Sequence, residues 1–280
     1  MKQTAIITGA SSGFGLLTAI EFAKRGYHVL ATMRFVEKAA QFNTLVDDKN
    51  LLKRIEAFPL DVTDSSSISA LKKKVESIER VDVLVNNAGF AIGGFAEEVD
   101  IEEYRRQFET NVLGVMAVSQ TVLPIMRKQR TGTILNMSSV SGKIAFPGLS
   151  PYAASKHALE GYTESLRLEM KPFGIQVALV EPGSYKTNIW TSGMKVSERS
   201  LGENSPYYDY MRTITDTLES GKNKHGDPKE VAMLVCDLAS VKNLKQLRYP
   251  IGRGLKMTLL IKKWLPWQLW EKVVLKKLKI

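Results

Sequence analysis

Thr4-Ala5-Ile6-Ile7-Thr8-Gly9-Ala10-Ser11-Ser12-Gly13-Phe14-Gly15 decides the fold of this 280-residue chain. Residues 4–8 form a short apolar run of the kind a parallel strand needs when both its faces are covered. A glycine turn follows, and then LLTAIEFAKRG, a helical pattern with Gly26 as its stop. Strand, glycine turn and helix in that order are the setting a dinucleotide-binding turn requires. Gly9, Gly13 and Gly15 would let the backbone approach a pyrophosphate, while the helix start offers unpaired N–H groups and the positive end of a dipole. Ser11, Ser12 and Phe14 complete the expected seat. A lone glycine triplet would mean little, because turns use glycine everywhere.

The same rhythm continues along the chain. YHVLATMR (27–34) reads as a second strand, residues 51–60 as a third, and Thr63-Asp64 opens a helix through Ile78. VDVLVNNAGF (81–90) reads as the fourth strand, 101–129 as a long helical pattern with Asn111 inside it, and ILNMSS as the fifth strand, which delivers Ser139. A helix from Tyr152 to Phe173, a sixth strand over 174–180, a helix from Asp227-Pro228 to about Ser240 and a last strand over 247–251 complete the series. Six or seven strands alternating with helices imply an α/β, Rossmann-type doubly wound parallel sheet with helices on both faces. Residues 1–252 are expected to form one dinucleotide-binding catalytic domain. Within it, 188–225 breaks the rhythm and carries Trp190, Met194, Tyr207, Tyr208, Tyr210 and Met211, which points to a substrate lid.

Chemistry concentrates in ILNMSSVSGKIAFPGLSPYAASK, residues 134–156. Tyr152 and Lys156 are four residues apart and share a helix face about one turn apart. A nearby ammonium favours the phenolate, so Lys156 is expected to lower the Tyr152 pKa toward a range where it serves as general acid or base. Ser139 could place its hydroxyl beside a carbonyl oxygen that takes its proton from Tyr152. At the end of the second strand a dinucleotide fold usually carries an acid, about twenty residues after the glycines, to hold the adenosine ribose. Here Met33 and Arg34 stand instead, offering a cation for the 2'-phosphate of NADP (NADPH) and disfavouring NAD. Ser12 could add a hydroxyl to that phosphate. The alternative is that Arg34 caps a loop and Glu37 reaches back to the ribose.

Further along stand Asp61-Val62, Asn86-Asn87-Ala88-Gly89, Asn111 with Gly114, Ser139 thirteen residues before Tyr152, Glu181-Pro182-Gly183 and Thr187. In this order, over roughly residues 3–251, they resemble the short-chain dehydrogenase/reductase family, in its Tyr-x-x-x-Lys subgroup. The resemblance implies strand order 3-2-1-4-5-6-7 and hydride transfer between a nicotinamide and a carbonyl or alcohol carbon. It assigns Asp61 and Val62 to the adenine, Asn87, Ala88 and Gly89 to the cofactor's adenine-ribose side, and Asn111, at a local break in its helix, to a water relay reaching Lys156. Lys156 would hold the nicotinamide ribose, Pro182 and Gly183 would border the nicotinamide, and Thr187 would bond its carboxamide or the adjoining phosphate. EPGSYKTN, the long lid and the tail resemble the 17β-hydroxysteroid and retinol dehydrogenase-like branch. That implies a hydrophobic aldehyde, ketone or alcohol as substrate. A non-catalytic NADP-sensing protein on the same fold is the rival reading, and the presence of both Tyr152 and Lys156 argues against it.

Composition is ordinary for a globular protein, and no metal site is expected. The single cysteine, Cys236, excludes an internal disulfide and reads as a packed helix residue. No signal or transit segment precedes the first strand, so a cytoplasmic location is expected. The net charge of +10 is uneven: from Arg248 to Ile280 there are nine Lys/Arg and one acid, Glu271. A basic tail is not the stripe of a nucleic-acid-binding domain, so no nucleic-acid partner is expected. Residues 253–280 read as a basic amphipathic helical extension, broken near Leu265 because Pro266 suits a first helical turn and not an interior. Residues 257, 260, 261 and 264 form one apolar stripe, and Trp267, Trp270, Val274 and Leu278 another. Such stripes pack on the parent domain or on a second subunit, as in a homodimer, or they anchor a protein at the surface of an anionic membrane.

Overall fold

The computed structural model describes residues 2–187, 193–221 and 225–278. Nine strands occur among them: β1 (Thr4–Ile7), β2 (His28–Met33), β3 (Ile55–Pro59), β4 (Val83–Asn86), β5 (Ala91–Gly93), β6 (Gly132–Met137), β7 (Ile175–Pro182), β8 (Met194–Val196) and β9 (Arg248–Ile251). The helices are α1 (Gly13–Lys24), α2 (Ala40–Leu45), α3 (Lys49–Leu52), α4 (Ser65–Glu76), α5 (Ile101–Phe108), α6 (Gly114–Gln129), α7 (Ser150–Met170), α8 (Glu198–Leu201), α9 (Tyr208–Gly221), α10 (Pro228–Ser240), α11 (Leu255–Trp264) and α12 (Trp267–Lys277).

Seven strands form one parallel sheet in the order β3-β2-β1-β4-β6-β7-β9, the expected doubly wound topology. Why its strands read as continuous apolar runs is visible in the core. Ala5 and Ile7 point to one side, with α1 and α10, while Ile6 points to the other, with α4 and α6. Val83 and Val85 divide from Leu84, and Leu135 from Ile134, in the same way. Both faces are covered, so alternation along a strand moves a side chain between two cores and never to water. The order of strands reverses between β1 and β4, which opens a crevice at their carboxyl ends.

Two sequence expectations change. The third strand starts at Ile55, because the Asp48 side chain accepts from Asn50 N and caps the single turn of α3. The helical pattern over 101–129 keeps its extent, and the local break expected at Asn111 is a π-helical turn at Glu109–Leu113 between α5 and α6. And the segment expected to be a lid is not a loop where it is described: 193–221 holds β8, α8 and α9, and β8 pairs in parallel with β5, Ala91 opposite Met194. Glu98 fastens it: Ser200 Oγ donates to Glu98 Oε2 at 2.7 Å, Ser205 Oγ to Oε1 at 2.5 Å and Ser197 Oγ to the Glu98 carbonyl at 2.8 Å. Tyr207 stacks on Phe95 at 4.2 Å between centroids and Tyr210 tilts against the same ring at 5.0 Å. Trp190 lies outside the described residues. The tail forms α11 and α12 with Leu265-Pro266 between them.

Candidate active site

The crevice is a cleft of about 780 Å³ lined by the glycine turn, the ends of β2, β4, β6 and β7, and the start of α7. Its ends are far apart. Arg34 follows β2 and Ser139 follows β6, three strand spacings along the sheet or roughly 14 Å.

At the glycine turn the residues act on one another before they meet any ligand. Gly9 has φ +65°, and a Cβ there would lie 2.8 Å from Ala88 Cα. One at Gly15 would lie 2.4 Å from both the Gly9 carbonyl oxygen and Asn87 Nδ2. These two glycines therefore serve contact within the chain, rather than the ligand approach the sequence suggested. Gly13, at φ +55°, faces Thr187 across 3.7 Å and leaves the start of α1 open. Asn87 Nδ2 donates to the Thr8 and Gly9 carbonyls at 2.9 and 3.1 Å, and Thr8 Oγ1 accepts from Asn87 N and Ala88 N. Asn86 differs from its neighbour: its amide donates to Asn136 Oδ1 and Ser119 Oγ, bracing β4 against β6 and α6. Asp61 turns on itself, its carboxylate accepting from Thr63 N and Oγ1 at 2.9 and 2.7 Å. Val62 packs so close to α6 that only glycine fits at Gly114.

The reacting end is buried. Tyr152 and Lys156 have 3% and 6% relative exposure, and Lys156 Nζ stands 5.7 Å from the Tyr152 ring centroid. Ser139, at the amino end of a 3-10 turn, accepts from Ser141 N at 3.1 Å, and its hydroxyl stands near enough to the Tyr152 phenol to favour the phenolate. Lys156 Nζ donates to the Met137 carbonyl at 2.7 Å. Burial pushes the phenol up to about 12, opposed only by the Ser139 hydroxyl, and pulls the ammonium down to about 8, opposed by the charge of Glu160. The expectation that Lys156 lowers the tyrosine is thus reversed here: desolvation dominates, and a lysine at about 8 is neutral before a phenol at about 12 ionises. Asn111 is buried on the π turn, but it does not reach Lys156. Its amide donates to the Phe90 carbonyl and to Ser155 Oγ, and its Oδ1 accepts from Phe90 N.

Beneath this end lies a buried ionic group that motif reading missed. Glu160, one turn after Lys156, accepts from Ser138 Oγ at 2.6 Å and from Arg248 Nε at 2.7 Å, with Lys143 Nζ at 3.3 Å. Glu181 sits beside it, and burial together with the Glu160 charge pushes its carboxyl up to about 7. Pro182 and Gly183 end β7 at the cleft, Gly183 N donating to the Ile251 carbonyl at 2.9 Å. Thr187 N donates to the Tyr185 carbonyl at 2.8 Å. Tyr185, also missed, lies edge-on to Phe14 at 5.7 Å and lines the cleft. A Cβ at Gly226 would lie 2.4 Å from its ring.

At the far end Met33 is buried, while Arg34, Phe35 and Lys38 line the cleft and are exposed. Glu37, the alternative ribose partner, is not among the lining residues. Lys38 is an addition, brought in by the short 3-10 turn at Val36–Ala39, which sequence periodicity does not signal. Among the described residues no group of His, Cys, Asp and Glu is placed to hold a metal. The open helix start, the close approach at Ala88-Gly89 and the length of the cleft fit a nicotinamide dinucleotide.

Residues 3–196 match the short chain dehydrogenase family. The chain belongs to that family. It is 50% identical over 277 residues to the uncharacterized oxidoreductase YusZ of Bacillus subtilis (strain 168), covering 99% of each chain. It is 36% identical over 242 residues to the 3-ketodihydrosphingosine reductase of Bacteroides thetaiotaomicron, 86% of this chain and 85% of that one. The solved structure of ElxO with NADP bound is 30% identical, with a TM-score of 0.76 over 92% of this chain and 100% of that one. This short-chain dehydrogenase is therefore an oxidoreductase of CH–OH and C=O groups that uses a nicotinamide cofactor.

Proposed function

We propose that the protein reduces the carbonyl of a hydrophobic aldehyde or ketone with NADPH, and that Tyr152 gives the proton. The observation that carries this reading is the buried phenol at the floor of the cleft, beside Ser139 and Lys156, which burial holds up to about 12. Such a group is protonated throughout the neutral range, which suits a donor to a carbonyl oxygen. When bound, the nicotinamide supplies the hydride. Ser139 Oγ already accepts from Ser141 N, so its own proton is directed toward the phenol or a substrate oxygen. Lys156 spends one N–H on Met137 and keeps two donors for ribose hydroxyls. Asn111 acts as a positioning residue through Phe90 and Ser155, and its support of a water relay is part of the same proposal.

Arg34 and Lys38 favour NADPH, in line with the NADP-bound relative. The 17β-hydroxysteroid and retinol dehydrogenase-like likeness of the lid and tail supports a bulky apolar substrate. The 3-ketodihydrosphingosine reductase relative supports an open-chain one. NADPH oxidation measured across medium- and long-chain aldehydes, long-chain 3-ketones and 17-ketosteroids tests the proposal. Turnover is expected on at least one long apolar carbonyl. Tight NADPH binding with no turnover on any of them would leave the non-catalytic sensing role instead.

A further inference from the structure

Helix α11 is built inside out. Leu255 is 7% exposed and lies toward Gly183 and Gly252, with Leu259 half-buried near the same side. Met257, Leu260, Ile261 and Trp264, spaced as one helix face, are 61%, 51%, 49% and 76% exposed. A helix packed only on its own domain would turn that stripe inward. In α12 Trp270 is buried while Trp267, Leu269 and Val273 stand out. Seven of the eighteen exposed large apolar side chains among the described residues thus belong to these two helices.

Positive charge surrounds this apolar surface. Lys256, Lys263, Lys272 and Lys276 are exposed, and Glu271 is the one acid after Arg248. Lys262 Nζ lies 4.4 Å from the Trp267 ring centroid and 5.4 Å from that of Trp270, tying the two helices across Pro266. Lys263 Nζ lies 5.8 Å from the Trp264 ring centroid. No helix among the described residues is long and apolar enough to cross a membrane. Among the described residues none after Lys195 lines the cleft.

We propose that the outward face of α11 and α12 docks on an anionic membrane surface, with the apolar stripe and tryptophans at the acyl boundary and the lysines among the headgroups. A second copy of this chain would meet the same excess of lysines and be repelled. Acidic lipid answers both the apolar face and the charge, which is the pairing an in-plane amphipathic anchor needs. Because Leu255 packs against Gly183 at the rim of the cleft, the docked face is joined directly to the active-site end of β7. The proposal does not rest on the catalytic reading.

The test is co-sedimentation of the full chain with vesicles of equal parts phosphatidylcholine and phosphatidylglycerol, beside vesicles of phosphatidylcholine alone. Binding to the anionic vesicles is expected to be at least about tenfold tighter, and to weaken steeply toward about 1 M salt, where screening is nearly complete. Leu260→Gln with Trp264→Gln should abolish binding, and Lys256→Glu with Lys263→Glu should weaken it. All four positions are exposed, so circular dichroism and NADPH affinity should be unchanged. Failure of the unaltered protein to bind at low salt would overturn the proposal, as would equal binding to both vesicle types. So would a dimer in sedimentation velocity that the Leu260→Gln/Trp264→Gln chain loses, since the face would then belong to a second copy.

Discussion

The two ends of the cleft hold their charges in opposite ways. Arg34 and Lys38 stand in water on an exposed turn, whereas Tyr152, Lys156, Glu160 and Glu181 are all buried, the first three along about two turns of α7 and the last at the end of β7. A cation in water can favour one ligand charge over another, but solvent screens it. Buried groups answer to desolvation and to each other, so the reacting end can be tuned. Under the proposed function, selection of the cofactor and control of the proton would each fall where the physical means for it exists.

The comparison breaks first at Tyr152. Tyr152→Phe keeps the ring and removes the proton, so turnover on a verified carbonyl should fall by about 10² to 10⁴ while NADPH affinity is retained. Near-normal turnover would show that the buried phenol is not the donor.

Between the ends runs the glycine turn, whose constraint is steric and owes nothing to charge. Gly15→Ala forces a methyl to within 2.4 Å of the Gly9 carbonyl and of Asn87 Nδ2. Overpacking against backbone costs about 3 kcal/mol at the upper end of its usual range, enough to lower the melting temperature by several degrees and loosen NADPH binding. An unchanged melting curve would mean the turn is more yielding than its contacts imply.

How much of this was legible in the sequence follows the range of the forces involved. The main sheet could be read because each strand is a local apolar run and each turn carries its own glycine or cap, as Asp227 does for α10, accepting from Lys229 N. Tyr152, Lys156 and Ser139 could be read because helical spacing and one strand end fix them. The pairing of β5 with β8 joins two three-residue strands a hundred positions apart, too short for any periodicity to announce. The Glu98 clamp on the lid is equally long-range, and a lone glutamate in a loop gives no hint of burial. Desolvation was the largest omission: sequence places a lysine beside a tyrosine, but only the packed interior reveals that burial outweighs their attraction.

The buried pair gives a pH test of that point. Glu181 Oε1 accepts no hydrogen bond, and Arg248 Nε stands 3.8 Å away. Folded Glu181 holds its proton up to about pH 7, whereas the unfolded chain releases it near the ordinary carboxylate value. The native state therefore binds more protons across that interval. Stability from this group is full below the unfolded value, falls as pH rises toward 7 and changes no further above it. Glu181→Gln removes the penalty, so the variant should be more stable than the parent at pH 8 by on the order of 2 kcal/mol. At pH 4.5 the two should nearly coincide. A stability difference that is the same at both pH values in denaturant titrations would remove Glu181 from the tuned group.

The exposed end should show the smallest effect and the strongest dependence on salt. The unaltered protein is expected to bind NADPH at least about tenfold more tightly than NADH, a difference of about 1.4 kcal/mol. Two exposed cations lining that end of the cleft would supply that much to a 2'-phosphate without help from burial. Arg34 offers a planar fork that grips phosphate oxygens in pairs, and Lys38 a single point charge. Arg34→Ala should therefore remove most of the preference and Lys38→Ala a smaller part, and the double variant should bind both cofactors alike. Raising the salt should shrink the preference of the unaltered protein while leaving the loss caused by Tyr152→Phe untouched, since Arg34 and Lys38 are exposed and Tyr152 is buried. Dissociation constants for both cofactors at low and high salt decide it: equal affinity in the unaltered protein would sink the NADP assignment. A preference that ignores salt would mean that Arg34 and Lys38 are not its source.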